Sequence, residues 1–144
     1  MIEFVGTLEG TLDKKGRCSV PSEYRRQLNG QSLYLRPSVR GPFLEAWPSL
    51  DFANTTAPRL GPLDIPNDEE DDLLYALIGD VVAVQPDADG RIILPAELIA
   101  HAGLEGQLAF VGRRSFFEVW SRPAFAERRA RALSNMRRAP ARAP

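Results

Sequence analysis

Two arginines close two short acidic turns. Asp13-Lys14-Lys15-Gly16-Arg17 recurs 74 positions later as Asp87-Ala88-Asp89-Gly90-Arg91. Arginine carries a planar fork of donors that pairs with phosphate oxygens or with the O6/N7 edge of guanine. An aspartate four residues earlier can accept downstream backbone N–H groups or hold the arginine. A glycine just before the arginine tolerates positive φ and lets the chain approach a phosphate closely. Lys14 and Lys15 add point charge in the first copy only. Spacing alone fits equally an Asp–Arg bridge that stiffens a hairpin. Chance supplies on the order of 0.1 copies of D-x-x-G-R in such a chain, so the repetition favours a working role. Arg17, Lys14, Lys15 and Arg91 are the candidate DNA contacts, and Asp13, Gly16, Asp87 and Gly90 are the turn formers.

Other chemistry is poorly represented. One cysteine and one histidine give neither an intrachain disulfide nor a Cys/His zinc cluster. Asp87-Ala88-Asp89-Gly90 resembles part of a calcium loop, but Leu98 stands where the terminal Glu belongs. His101 lacks the context of a nucleophile such as G-x-S-x-G and reads as a helix-end residue. Cys18 reads as a small core side chain before a reactive thiol. We expect no catalysis, no cofactor, no metal and no small-molecule substrate. No run of about 18 apolar residues is present, and Met1-Ile2-Glu3-Phe4 opens with an acid instead of the cationic, then apolar, pattern of a signal peptide, so none is expected. The expectation is a cytoplasmic, nucleoid-associated protein without a membrane span.

The net charge of −1 hides an uneven distribution. Residues 13–40 hold seven Lys or Arg against two acids, residues 51–90 ten acids against Arg59, and residues 113–144 nine Arg against two Glu. A partner meets the local balance, and two basic zones bracket an acidic middle.

The elements that position the two arginines repeat as well. Residues 4–12 alternate Leu8, Gly10 and Leu12 against Thr7, Glu9 and Thr11, a strand with one wet face. Each arginine then leads a return strand into a proline and a short helix: Val20-Pro21-Ser22-Glu23 in one case and Leu94-Pro95-Ala96-Glu97 in the other. We place each proline at the first helical position and end the first helix at Asn29-Gly30. Ser32 to Leu35 is echoed by Leu108 to Val111, and Phe43-Leu44-Glu45-Ala46-Trp47 by Phe116-Phe117-Glu118-Val119-Trp120. Tyr34, Phe43, Trp47, Phe116, Phe117 and Trp120 are expected to share one core. The chain divides into a first repeat (1–53), an acidic loop and connecting helix (54–78), a second repeat (79–122) and a basic C-terminal helix with a disordered tail (123–144). A short helix is expected near Pro48 to Ala53, then a mobile loop, then a helix whose acidic start is Asp68-Glu69-Glu70-Asp71-Asp72.

Taken together, Leu12 to Arg17 with Val20-Pro21, Asp87 to Arg91 with Leu94 to Leu98, Ala102-Gly103-Leu104 and the closing Phe117-Glu118-Val119-Trp120-Ser121 resemble the signatures of the MraZ family. The resemblance spans roughly residues 4–127. It implies an α+β, β-rich fold made of a duplicated, swapped-hairpin AbrB-like domain, and assembly into a homo-oligomer, a closed ring. It further implies transcriptional regulation by binding double-stranded DNA at tandem short repeats upstream of the division and cell-wall gene cluster, with Arg17 and Arg91 as contacts. The alternative is an AbrB-like antitoxin or another swapped-hairpin module whose main partner is a protein.

Overall fold

The computed structural model describes residues 1–52 and 67–138. The alternation in Thr7–Thr11 makes β1, with Leu8 and Gly10 turned inward and the threonines and Glu9 wet. β2 (Arg17–Ser19) follows the first acidic turn, and α1 (Ser22–Leu28) buries Tyr24 and Leu28. Asn29, in the left-handed conformation, ends α1. β3 (Leu33–Pro37) and β4 (Leu44–Pro48) come next. After the undescribed stretch come α2 (Asp68–Leu74), a π-helical turn (Tyr75–Gly79), β5 (Val82–Val84) and β6 (Arg91–Ile93). The chain finishes with α3 (Ala96–Ala102), β7 (Gln107–Gly112), β8 (Phe117–Ser121) and α4 (Arg122–Arg138). The protein is therefore mixed α+β and β-rich, with four α-helices among the described residues.

Six strands form one antiparallel sheet in the order β1-β7-β8-β4-β3-β5. β2 and β6 stand apart as a two-stranded antiparallel ribbon. Consecutive strands of the chain are thus often not partners: β1 pairs with β7, β5 with β3, and β2 with β6. The period of two decides what fills the space between sheet and ribbon. Leu33, Leu35, Leu44, Ala46, Leu108, Phe110, Phe117 and Val119 point to one face, where Cys18 and Ile92 of the ribbon and Tyr24, Leu28, Leu98 and Ala102 of the helices meet them. Fully burying one such leucine contributes about 1.5–3 kcal/mol. Phe4, fully buried, packs edge-on against Tyr24 and Phe117 and bridges to Arg114.

The opposite face of the sheet corrects the expectation of a single aromatic core. Phe117 belongs to the main core, but Phe43 stacks on Trp120 at 4.4 Å and Trp47 on Phe116 at 4.1 Å across the β4–β8 seam. Tyr34 lies opposite Trp47 in the β3–β4 register and packs edge-on against Phe52. Phe125 of α4 covers the first stack. Two buried glutamates face each other at that seam, Glu45 opposite Glu118. Each accepts an indole N–H, from Trp47 at 3.0 Å and Trp120 at 2.8 Å. Arg36 and Arg113 supply the counter-charges. Burying carboxylates is costly unless they are paired and hydrogen-bonded, and both conditions are met.

Further details differ from the sequence reading for identifiable reasons. Pro21 and Pro95 cap their helices from outside, with ψ of 139° and 148°, instead of occupying the first helical position. The Pro21 carbonyl accepts the N–H groups of Tyr24 and Arg25 and so begins the helix. The short helix expected near Pro48 is a turn as far as Phe52: Pro48 still pairs with Leu33 in β4, and Asp51 donates back to the Pro48 carbonyl. Ala53, the expected loop and the tail from residue 139 lie outside the described residues. The acidic helix begins at an Asn67 cap whose side chain accepts from Glu70 N at 2.8 Å. The echo of Ser32–Leu35 by Leu108–Val111 is slipped by one. Pro48 and Ser121 follow the matched Trp47 and Trp120, Pro48 faces Leu33 and Ser121 faces Leu108, so Leu33 corresponds to Leu108. A slip of one residue exchanges the faces of a strand, and only the corrected register puts both leucines in the core.

Candidate nucleic-acid interface

Both acidic turns are type I turns followed by a glycine bulge. Gly16 N–H donates to the Asp13 carbonyl and Asp13 N–H to the Arg17 carbonyl, and Gly90, Asp87 and Arg91 repeat both bonds. Gly16 and Gly90 sit at φ of +81° and +79°, the region a hairpin bulge requires and side chains disfavour. The aspartates organise the loops. Asp13 Oδ1 accepts from Lys15 N and Arg17 N, each at 2.9 Å, and Asp87 Oδ1 does the same for Asp89 N and Arg91 N. These bonds, led by the Arg17 and Arg91 backbone N–H groups, hold both carboxyls below the usual carboxylate range.

The ribbon then aligns the arginines. Arg17 lies opposite Ile93 and Ser19 opposite Arg91, so all four share one face. Cys18 and Ile92 take the other face into the core. The two glycine loops lock the ribbon: Val20 N–H donates to the Gly90 carbonyl and Leu94 N–H to the Gly16 carbonyl, both at 2.8 Å. Arg17 and Arg91 stay nearly half exposed. Arg17 gives its Nε to Asp13 Oδ2 at 2.8 Å, and among the described residues neither terminal amino group has a partner. Arg91 is more tightly held, by Asp87 at 3.2 Å through Nε and by Asp89 at 3.3 Å through Nη2. Exposed ion pairs of this kind contribute little stability; their effect here is to aim the fork. Lys14 and Lys15 stand exposed on the first turn.

The flanks of the ribbon are grooves. One, of about 470 Å³, runs past Asp13, Arg17, Ser19, Pro21, Arg25 and Arg91. The other, of about 420 Å³, lies between Arg17, Arg91, Gln85 and Ile93. Arg25 was absent from the sequence candidates. It projects from α1 over Gly90, in the place where Ile99 of α3 lies over Gly16. A position-by-position comparison of Pro21-Ser22-Glu23-Tyr24-Arg25 with Pro95-Ala96-Glu97-Leu98-Ile99 would have found it, as a cation in one half where the other is apolar.

The remaining candidates are accounted for by packing. Burial pushes the Cys18 thiol up to about 12, which removes its nucleophilic thiolate at neutral pH. His101 ends α3 with Nε2 at 3.1 Å from the Gly41 carbonyl oxygen. Leu98, at the position of the missing calcium ligand, is buried in the core. Among the described residues no cluster of three or more His, Cys, Asp or Glu is arranged to hold a metal ion, and no helix is long and apolar enough to cross a membrane.

Comparison with known proteins places the chain in a family. A family model described as "MraZ protein, putative antitoxin-like" matches residues 77–143. The chain is 44% identical over 135 residues to a protein of Gluconacetobacter diazotrophicus named transcriptional regulator MraZ, covering 90% of this chain and 84% of that one. It is 37% identical to the protein of that name from Gluconobacter oxydans, covering all of this chain and 94% of the relative. For the Rickettsia bellii protein of that name the figures are 35% identity, 78% and 77%. With such identity sustained along most of both sequences, the chain belongs to the MraZ family.

Proposed function

We propose that this protein is a sequence-specific DNA-binding transcriptional regulator whose β2–β6 ribbon enters the major groove and reads bases through Arg17, with Arg91 assisting. The carrying observation is that both turn arginines emerge on one exposed face of a two-stranded ribbon. The major groove admits such a ribbon, and an arginine fork is the commonest specific partner of guanine. Arg17 leads because its terminal amino groups are free among the described residues, whereas Asp89 takes one from Arg91. Lys14, Lys15 and Arg25 supply phosphate contacts around it. The names of the relatives agree with this reading.

The fold reading is a duplicated, swapped-hairpin domain, with residues 1–53 and 79–122 as the repeats, 54–78 as the connection and 123–144 as a basic appendage. It is supported by β2 leaving β1 to pair with β6, and by the reciprocal bonds between the two glycine loops. The operator is a set of tandem short repeats upstream of the division and cell-wall gene cluster. The protein acts in the cytoplasm, on the nucleoid, as a closed homo-oligomeric ring. Mobility shift with the protein's own promoter DNA tests the reading. Arg17→Ala is expected to weaken binding by about 1–3 kcal/mol per engaged subunit and Arg91→Ala by no more than that. Wild-type binding by the Arg17 variant overturns the site. If the unmodified protein shows no preference for its promoter, the antitoxin-like, protein-binding reading takes its place.

A further inference from the structure

We propose that the free part of α4 is the docking surface for a second copy of this chain, and that it receives the acidic start of that copy's α2. This inference rests on the homo-oligomeric part of the proposed function. The first turn of α4 packs Ala124 and Phe125 onto the Phe43–Trp120 face of the sheet. From Glu127 to Arg138 the helix runs on with Leu133 and Met136 exposed and with five arginines against one glutamate. At its base a groove of about 330 Å³ is lined by Arg40, Arg113, Arg128 and Arg129 over the Phe43–Trp120 floor. Arg113 is neutralised by Glu118, while Arg40, Arg128 and Arg129 make no ion pair among the described residues.

Those cations are badly placed to help the ribbon on one duplex. In β7, Leu108 and Phe110 turn toward the core shared with the ribbon, and Ala109 and Val111 turn toward α4. The ribbon and α4 therefore lie on opposite faces of the sheet. The complement to α4 is carried by the chain itself. Asp68, Glu69, Glu70, Asp71 and Asp72 open α2 with no basic residue in the helix, and Tyr75 and Ile78 follow, exposed. The stretch Asp68–Gly79 and the stretch Glu127–Arg138 are each 12 residues, the second about 18 Å long at α-helical rise and the first somewhat shorter because Tyr75–Gly79 is π-helical. Both offer opposite charge beside two exposed apolar side chains.

The two surfaces belong to different ends of the molecule. α4 lies on β7 and β8, whereas the π turn after α2 is held by the Arg36 bond to the Leu77 carbonyl and leads into β5, the far edge strand. A contact between unlike surfaces is heterologous, and it propagates head to tail until it closes.

Charge exchange tests this. Native mass spectrometry and sedimentation would compare the wild type with R128E/R129E and with E69K/D72K, each checked for a wild-type far-UV spectrum. Each variant alone is expected to fall to the mass of a single chain, and an equimolar mixture of the two, or one chain carrying all four changes, is expected to regain the wild-type mass. Binding of a single-repeat duplex should be unchanged in both. If the wild type is an oligomer and both variants keep its mass, the interface is wrong while the ring stands. A monomeric wild type removes the ring and the interface together. Loss of single-repeat binding by R128E/R129E at unchanged mass assigns α4 to DNA and overturns the proposal, as does failure of both the mixture and the four-change chain to reassemble.

Discussion

Replacing each turn glycine by alanine separates the stability of the turns from their role in binding, because the two glycines have different neighbours. Both lie near φ +80°, where an L side chain costs about 1–2 kcal/mol. At Gly16 a Cβ would stand 3.1 Å from the Leu94 carbonyl oxygen and 3.4 Å from Ile99 Cδ1, which is tight but requires only small shifts. At Gly90 it would fall on the Arg25 guanidinium, with Cδ and Cζ both at 2.7 Å, so the arginine must leave. Its far end is flexible, and its departure adds little to the loss of stability. We therefore expect Gly16→Ala and Gly90→Ala to lose similar stability, about 2–8 °C in Tm for a chain of this size. DNA affinity should diverge. Gly90→Ala displaces a cation from the groove beside Arg17 and should lower the log–log salt slope by about 0.9 per lost phosphate contact, as Arg25→Ala does, and the double variant should lose no more than either alone. Calorimetry and fluorescence anisotropy across a salt series measure both quantities. Unchanged melting temperatures would refute the positive-φ requirement, and wild-type slopes in Gly90→Ala and Arg25→Ala would remove Arg25 from the interface.

Other outcomes follow from single contacts. Asp13 and Asp87 have pKa values lowered from 3.8 in the folded protein, so their contribution is present above that value and lost as pH falls through the folded one; Asp13→Asn with Asp87→Asn should flatten the acid limb of a stability–pH curve below about pH 4, and an unchanged limb would contradict the hydrogen bonding described. Cys18, with its thiol pushed up to about 12, should resist an alkylating reagent at pH 8 and react once the chain is denatured; rapid native labelling would show that the ribbon opens. Arg36→Met removes the counter-charge of buried Glu45 and the donor to the Leu77 carbonyl, and should cost about 3–5 kcal/mol in chemical denaturation. A loss under 1 kcal/mol would contradict the pairing of Arg36 with Glu45 described above.

Local rules carried much of the fold. The wet and dry alternation of β1, the proline that opens each short helix, the Asn29 stop and the acidic start of α2 all follow from backbone geometry that neighbours in sequence determine. The matched Asp, Gly and Arg likewise announced the two turns. Pairing was less legible, because β2 meets β6 across more than 70 residues and no local pattern names a partner. The aromatic residues show why. Phe43 and Phe117 are both buried and recur in matching segments, yet they occupy opposite faces of the sheet, which only the strand register settles. Arg25 escaped notice because a helical arginine is ordinarily a solvated charge, and its place over Gly90 is a tertiary fact. Glu45 and Glu118 escaped for the same reason: a glutamate in an apolar strand gives no sign of whether an indole and an arginine await it.

The central claim is that copies of one exposed arginine ribbon read DNA together, and a titration of one-, two- and four-repeat duplexes from the protein's own promoter tests it most directly. It would be run at fixed salt with the wild type and with Arg17→Ala, and with a five-base-pair insertion between repeats. Once one ribbon is engaged, the next repeat is met at an effective concentration that adds about a hundredfold or more in avidity. The account predicts a steep gain in wild-type affinity from one repeat to four, most of it lost when half a helical turn is inserted, and little gain for Arg17→Ala. Equal wild-type affinities across the series, or the same gain without Arg17, would contradict it.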